Sequence, residues 1–528
     1  MDRRDRREFL ADIARGMLIA GVGYGAAYDL GLTRAWSADA KAGEGDGEKP
    51  LEFGAREELV CLLQETAAEK LLPLVVQRIN NGTDLQELVA SAALANARTF
   101  GGEDYVGFHT FMAMAPALRM SQELPAARRA LPVLKVLYRN TKRLQEQGGR
   151  KSETLKQVAA DGKSAAQAAA RLREAVHGKN RSAADAALVA AGDADAAFNA
   201  LLETVTEGAD VHRIVLASRC YDMLGIVGLE QAQTMLRQSV HYCVKEEAWN
   251  RRVHPQIAKV LPRVFDQFKL DGKLIGKESG GTRTADDAWV AELGRVIFTS
   301  TPDRAADAVA GAIAEGFDAT AIGQAIALAT NELILRDSGR TGKQVQPGKP
   351  EGSVHGDSIG VHACDSAHAW RTMAAAANPR NRAACLVMAG YQAALDRIER
   401  GGDFLNWQPR PTDEVLKKVA ANDQESLLKE LNGAIRDNDQ ERACAIVQRV
   451  GLLGYSERPV FDVLLKFACS EEGALHAEKF YRTASEEFAA ARAPHKWRQL
   501  VALARVTASE ANQPAAGYAE ACKLLGVT

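Results

Sequence analysis

The chain has 528 residues and a net charge of −2, with no basic stretch of the kind that binds nucleic acid or an anionic membrane surface. Alanine is abundant, aromatic residues make up only 6%, and long alternating β-branched runs are absent, which points to an all-α fold. The eight cysteines are scattered without a CxxC pair, which argues against a zinc framework and for buried thiols.

The first forty residues read as an export signal. Arg6-Arg7-Glu8-Phe9-Leu10 resembles a twin-arginine motif, with Asp5 in place of the usual Ser or Thr. An apolar run from Met17 to Ala27 follows, and Ser37-Ala38-Asp39-Ala40 offers a cleavage site after Ala40. The run is too short and glycine-rich for a stable membrane span, and Asp29 interrupts its continuation. The expected location is the periplasm, or the membrane face if the signal stays uncleaved. The export machinery is then an expected partner, and it carries proteins already folded, often with a cofactor inserted.

Helical periodicity begins at Ala55 and continues to Asn80 as one predicted helix. Asp84 is placed to cap a second, Leu85–Phe100, and His109 to open a third beyond a glycine turn. Leu131–Leu144, Ala194–Val205, Val211–Leu224 and Leu229–Lys245 follow as helices. Between them, residues 145–193 are polar and alanine-rich, and are expected as exposed helices or a semi-rigid linker. A connector over 268–287 separates two similar halves, residues 55–267 and 288–512. The similarity lies in matched pairs. Gly82-Thr83-Asp84 resembles Gly316-Phe317-Asp318, Gly107-Phe108-His109 resembles Gly360-Val361-His362, and QAQTMLR from Gln231 resembles HAEKFYR from His476. Such self-similarity predicts an internal duplication, two helical halves packed around a histidine-lined cavity.

The strongest chemical signal is Ser353–Ala377, which holds His355, His362 and His368 between a glycine-rich loop and an alanine run. Clustered histidines are metal-ligand candidates, although a histidine taken alone is more often a hydrogen-bonded core residue than a ligand. His109 and His362 occupy equivalent places, and His212 and His476 each sit on an apolar helical face. Lys479 follows His476 by one turn; an ordinary ion pair with Glu478 or Glu486 is its alternative role.

The segments HACDSAHAW from His362 and HAEKF from His476 resemble motifs of the questin oxidase-like family, with Asp365 standing where that family has Thr. The resemblance implies a mononuclear non-haem iron centre, Fe(II) or else manganese, held by His109, His212, His362, His476 and a carboxylated Lys479. It implies an oxidoreductase acting with dioxygen on an aromatic or quinone-like small molecule. Asp365, His368 and His355 are then catalytic candidates that orient an imidazole or relay a proton. A helical-repeat binding or scaffold protein with structural histidines stays open as the alternative, as does a purely structural metal.

Overall fold

The computed structural model describes residues 49–159, 164–274, 281–399 and 401–527. The export signal expected over residues 1–40 lies outside them, as does part of the 268–287 connector. Among the described residues the protein is all-α: helices follow one another from Glu57–Glu65 to Tyr518–Leu525, and β-pairing is limited to isolated bridges. No helix among them is long and apolar enough to cross a membrane.

Ten helices build or back the site: α1 (Leu85–Phe100), α2 (Tyr105–Glu123), α3 (Leu131–Glu146), α4 (Val211–Asp222), α5 (Ala232–Val253), α6 (Ala319–Arg336), α7 (Ile359–Ala376), α8 (Pro379–Glu399), α9 (His476–Ala490) and α10 (Trp497–Glu510). Four of them form a closed bundle, in which α2 packs on α9, α9 on α7, α7 on α4 and α4 back on α2. The other six form its jacket. α1 and α3 back α2, α6 and α8 back α7, α5 backs α4, and α10 backs α9.

Local chemistry sets where these helices begin. Asp84 caps α1 by accepting from the Gln86 N–H at 2.6 Å. Asp104, Asp210 and Ser358 do the same for α2, α4 and α7, from Gly107, Arg213 and Val361. Gly107 and Gly360 lie inside the first turns of α2 and α7, so the glycine turns expected before His109 and His362 are helical. Each is required by a close approach. A Cβ on Gly107 would stand 2.5 Å from the Phe100 ring of α1, and one on Gly360 would stand 2.7 Å from Ile334 of α6. The two glycines therefore let each histidine helix sit directly on the helix before it.

Two other expectations are corrected. The single helix over Ala55–Asn80 is two, Glu57–Glu65 and Ala68–Asn80, parted by the extended pair Thr66 and Ala67. Leu63 and Leu71 would be roughly 80° out of phase on one continuous helix, and the break lets both face the core. Nor is the alanine-rich segment 145–193 merely exposed. Its helices Ala168–His177 and Arg181–Val189 bury Leu172, Val176, Ala184 and Leu188, because alanines let the backbones approach closely enough for the few leucines to reach the core.

The apolar interior falls into two parts. One core runs from Phe53 to Phe404 and holds α1 to α8; the other is made mostly by residues 419–511, with Met120, Ile334, Leu335, Val361 and Cys364 reaching into it. Trp370 belongs to the first, fully buried, its indole N–H donating to Gln392 at 2.8 Å. All eight cysteines are free thiols, six of them buried.

Candidate metal centre

Each bundle helix carries one histidine near its N-terminus: His109 on α2, His212 on α4, His362 on α7 and His476 on α9. Their rings form a circuit. Centroids lie 5.0 Å apart for His109 and His212, 5.9 Å for His212 and His362, 5.4 Å for His362 and His476, and 5.2 Å for His476 and His109. Four histidine-bearing ends meet at one level, so the helices run parallel. Further along the bundle the same direction holds. Arg119, Asp222 and Glu486, each ten residues beyond its helix's histidine, meet again, with Arg119 3.8 Å from both carboxylates.

The ring nitrogens are oriented from outside the circuit. His109 donates through Nδ1 to the Tyr105 carbonyl at 2.8 Å, which leaves the Nε2 lone pair turned inward with no hydrogen-bond partner. Asp210 Oδ1 lies 3.4 Å from His212 Nδ1, while its Oδ2 accepts from the Tyr242 hydroxyl at 2.7 Å. One carboxylate thus caps α4, faces an imidazole and anchors to α5. His362 and His476 face each other Nε2 to Nε2 at 3.3 Å. Tyr105 and Phe108 close the outer side, their ring centroids 4.3 and 4.9 Å from that of His109.

Lys479 lies one turn into α9 and is 3% exposed, so it is no surface lysine. Glu478 instead pairs with buried Lys135 at 2.6 Å, and Glu486 binds His368. Burial pulls the Lys479 ammonium down to about 8, against the opposing pull of Asp365, Glu478 and Glu510. At neutral pH roughly a tenth of it is free amine, far more than for a lysine in water. Burial, together with the charge of Lys479 and neighbouring imidazoles, also holds His109 and His476 well below the ordinary histidine range. Burial and the same neighbours bring His362 down to about 3.

Donor chemistry and spacing fit a cation at the centre. A square circuit with edges near those observed has its centre roughly 3.8 Å from each ring centroid, whereas imidazoles bound at about 2.0–2.1 Å place theirs roughly 3.2 Å away. The circuit is therefore slightly wider than a ligated one. In keeping with that width, no three His, Cys, Asp or Glu side chains among the described residues are close enough to hold a metal ion as they stand.

The three catalytic candidates divide. Asp365 is buried in the bundle below the circuit, accepting from the Thr483 hydroxyl at 2.7 Å, and burial raises its carboxyl above the usual range despite Lys479. His368 lies two turns beyond His362 in a charged layer, where its Nε2 meets Glu486 at 2.7 Å and Arg482 binds Asp222 and Glu486. His355 stands outside the bundle, in a cavity of about 130 Å³ that also touches His476. Sequence reasoning missed Asp210, Tyr242 and the Lys135–Glu478 pair. Asp210 alone carried a signal, as a helix-capping aspartate two residues before a histidine.

No family model, curated protein or solved structure matches this chain.

Proposed function

We propose that the protein is a metal-dependent oxidoreductase whose four histidines and Lys479 hold one iron or manganese ion. The observation that carries this reading is the circuit itself: one imidazole from each of four parallel helices, with a buried Nε2 of His109 left without a partner. Three of the histidines are kept from protonation by their surroundings, which is the state in which imidazole binds metal. The metal would supply redox chemistry toward dioxygen.

The chain's own residues have defined tasks in this reading. His109, His212, His362 and His476 would hold the ion through their imidazoles. The Tyr105 carbonyl and Asp210 hold the opposite nitrogens of the first two. Lys479 is a ligand only as its carbamate: the free amine nitrogen bonds the carbon of carbon dioxide and loses a proton, giving an anionic oxygen donor. Thr483, one turn beyond Lys479 on α9, donates to Asp365, whose charge acts on the lysine. The aromatic or quinone-like substrate and the export of the folded protein belong to the same proposal, on the resemblances in the HACDS, HAEK and twin-arginine segments.

We infer further that the architecture arose by duplication. Supporting this, α1–α3 surround His109 as α6–α8 surround His362, and α5 backs α4 as α10 backs α9. His109 and His362 then lie across the circuit from each other, as do His212 and His476.

Elemental analysis of the purified protein beside a His362→Ala, His476→Ala double variant tests the reading. About one iron or manganese per chain, lost in the variant, is the expected result. Neither metal above background in a folded wild-type protein would leave the histidines structural and the chain a scaffold.

A further inference from the structure

The glycine-rich segment before α7 is a built wall. Arg340 and Lys349 both grip Asp357, at 2.5 and 2.9 Å. The Val354 N–H donates to Ser509 and the Gly356 N–H to Glu510, both on α10, at 2.9 and 2.6 Å. Gly356 sits where a Cβ would stand 2.2 Å from that of His476, so the segment runs hard against the histidine layer. Beside it the cavity of about 130 Å³ is lined by Lys349, His355, Glu510 and Gln513, with His476 also on its wall. His355 is 6% exposed, and its Nε2 has no hydrogen-bond partner.

Among the described residues, much of the rest of the circuit's surroundings is filled. Beyond the circuit, the bundle interior is filled by Asp365 with Thr483 and by the ion pairs of His368, Glu486, Arg482 and Asp222. Tyr105, Phe108 and Tyr242 cover the side of His109 and His212. His476 is the circuit member on the cavity wall, while His362 beside it is partly exposed elsewhere.

We propose that this cavity is a port to the histidine layer at His476 and that it admits molecules the size of dioxygen or water. Its volume of about 130 Å³ leaves ample room for several such molecules, since one water needs only about 10–15 Å³ on the same measure. The port itself stands on this geometry; its use by dioxygen as co-substrate rests on the oxidoreductase reading.

Singlet oxygen, generated by a dye in solution, tests the port with a dioxygen-sized probe in metal-free protein. Oxidation of each histidine is followed by peptide mass spectrometry. His476 is expected to oxidise at least tenfold faster than His241, which is 1% exposed. Gln513 is exposed and its side chain lies over Gly348 on the cavity wall, so Gln513→Trp fills the opening without entering the core. That variant should slow His476 oxidation about tenfold, Gln513→Leu less, with unchanged thermal unfolding. Equal rates for His476 in wild type and both folded variants, or for His476 and His241 in wild type, would overturn the port. Because metal is absent throughout, this outcome is separate from the metal analysis that decides the oxidoreductase reading.

Discussion

His241 and His476 are both buried, and their surroundings push them in opposite directions. Burial disfavours charge on His241, but Asp185 at 3.0 Å and Glu103 at 3.3 Å reverse that and hold its basicity above the ordinary value. His476 has imidazoles and a lysine for neighbours, and burial combined with their charge holds it far below. One histidine is built to be a cation in an ion-pair network with Arg237; the other is built to keep a lone pair. Burial alone therefore does not set the charge state of a histidine. The sign of the neighbouring charges does.

The largest effect that would break this contrast is on stability. Asp185→Ala leaves His241 and Arg237 buried without their shared carboxylate, and should cost about 3–5 kcal/mol in denaturant unfolding. Metal binding, measured by cobalt titration, should be untouched once the variant is folded. A loss of cobalt affinity would mean that the two regions are not independent.

On the circuit side, Asp210→Ser keeps a helix cap for α4 but is too short to reach His212 and Tyr242. Cobalt affinity should fall about 10–100-fold with little change in melting temperature, and Asp210→Asn should recover part of it. Equal affinity in all three proteins would remove Asp210 as a positioning residue.

The pH dependence is the smallest effect and carries the sign. In metal-free protein, His109, His362 and His476 take up protons on unfolding below about pH 6.5 that the folded state refuses. Their contribution is complete above that pH and is lost on acidification toward about 3 for His362. His241 behaves oppositely: its contribution is complete below about pH 6.5 and is lost as pH rises through its raised folded-state value. Urea midpoints from pH 5 to 9 should therefore separate the two, by up to about 1.4 kcal/mol per pH unit and imidazole. His241→Leu should be most destabilised at low pH, and His362→Leu should flatten the acid limb. Parallel curves for the two variants would contradict the opposed charge states.

Helices were legible in the sequence wherever a cap and an apolar stripe agreed, as at Asp84 and Leu85–Phe100. The break at Thr66 was not, because nothing local forbids a helix there and only the phase of Leu63 against Leu71 demands it. Residues 145–193 misled for the converse reason: alanine reads as surface until the partner that packs on it is known. For the site, residue type and matched position picked out the histidines that the fold assembles. Their supports were hidden, since Tyr242 on α5 and Lys135 on α3 reach the site from distant positions in the chain. Helix direction was equally invisible, because periodicity carries no sign along the axis.

That shared direction has a consequence for how the protein assembles. Antiparallel neighbours are joined by short turns, but each pair of parallel helices needs a connection that travels back along the bundle, so the circuit draws on positions 109, 212, 362 and 476. No fragment that stops before α9 contains it, and no local folding event completes it. The histidine layer therefore exists only when all four helices have come together. Whatever binds there reports that these four helices are assembled, and its binding energy is spread over every helix that must stay in place to hold it.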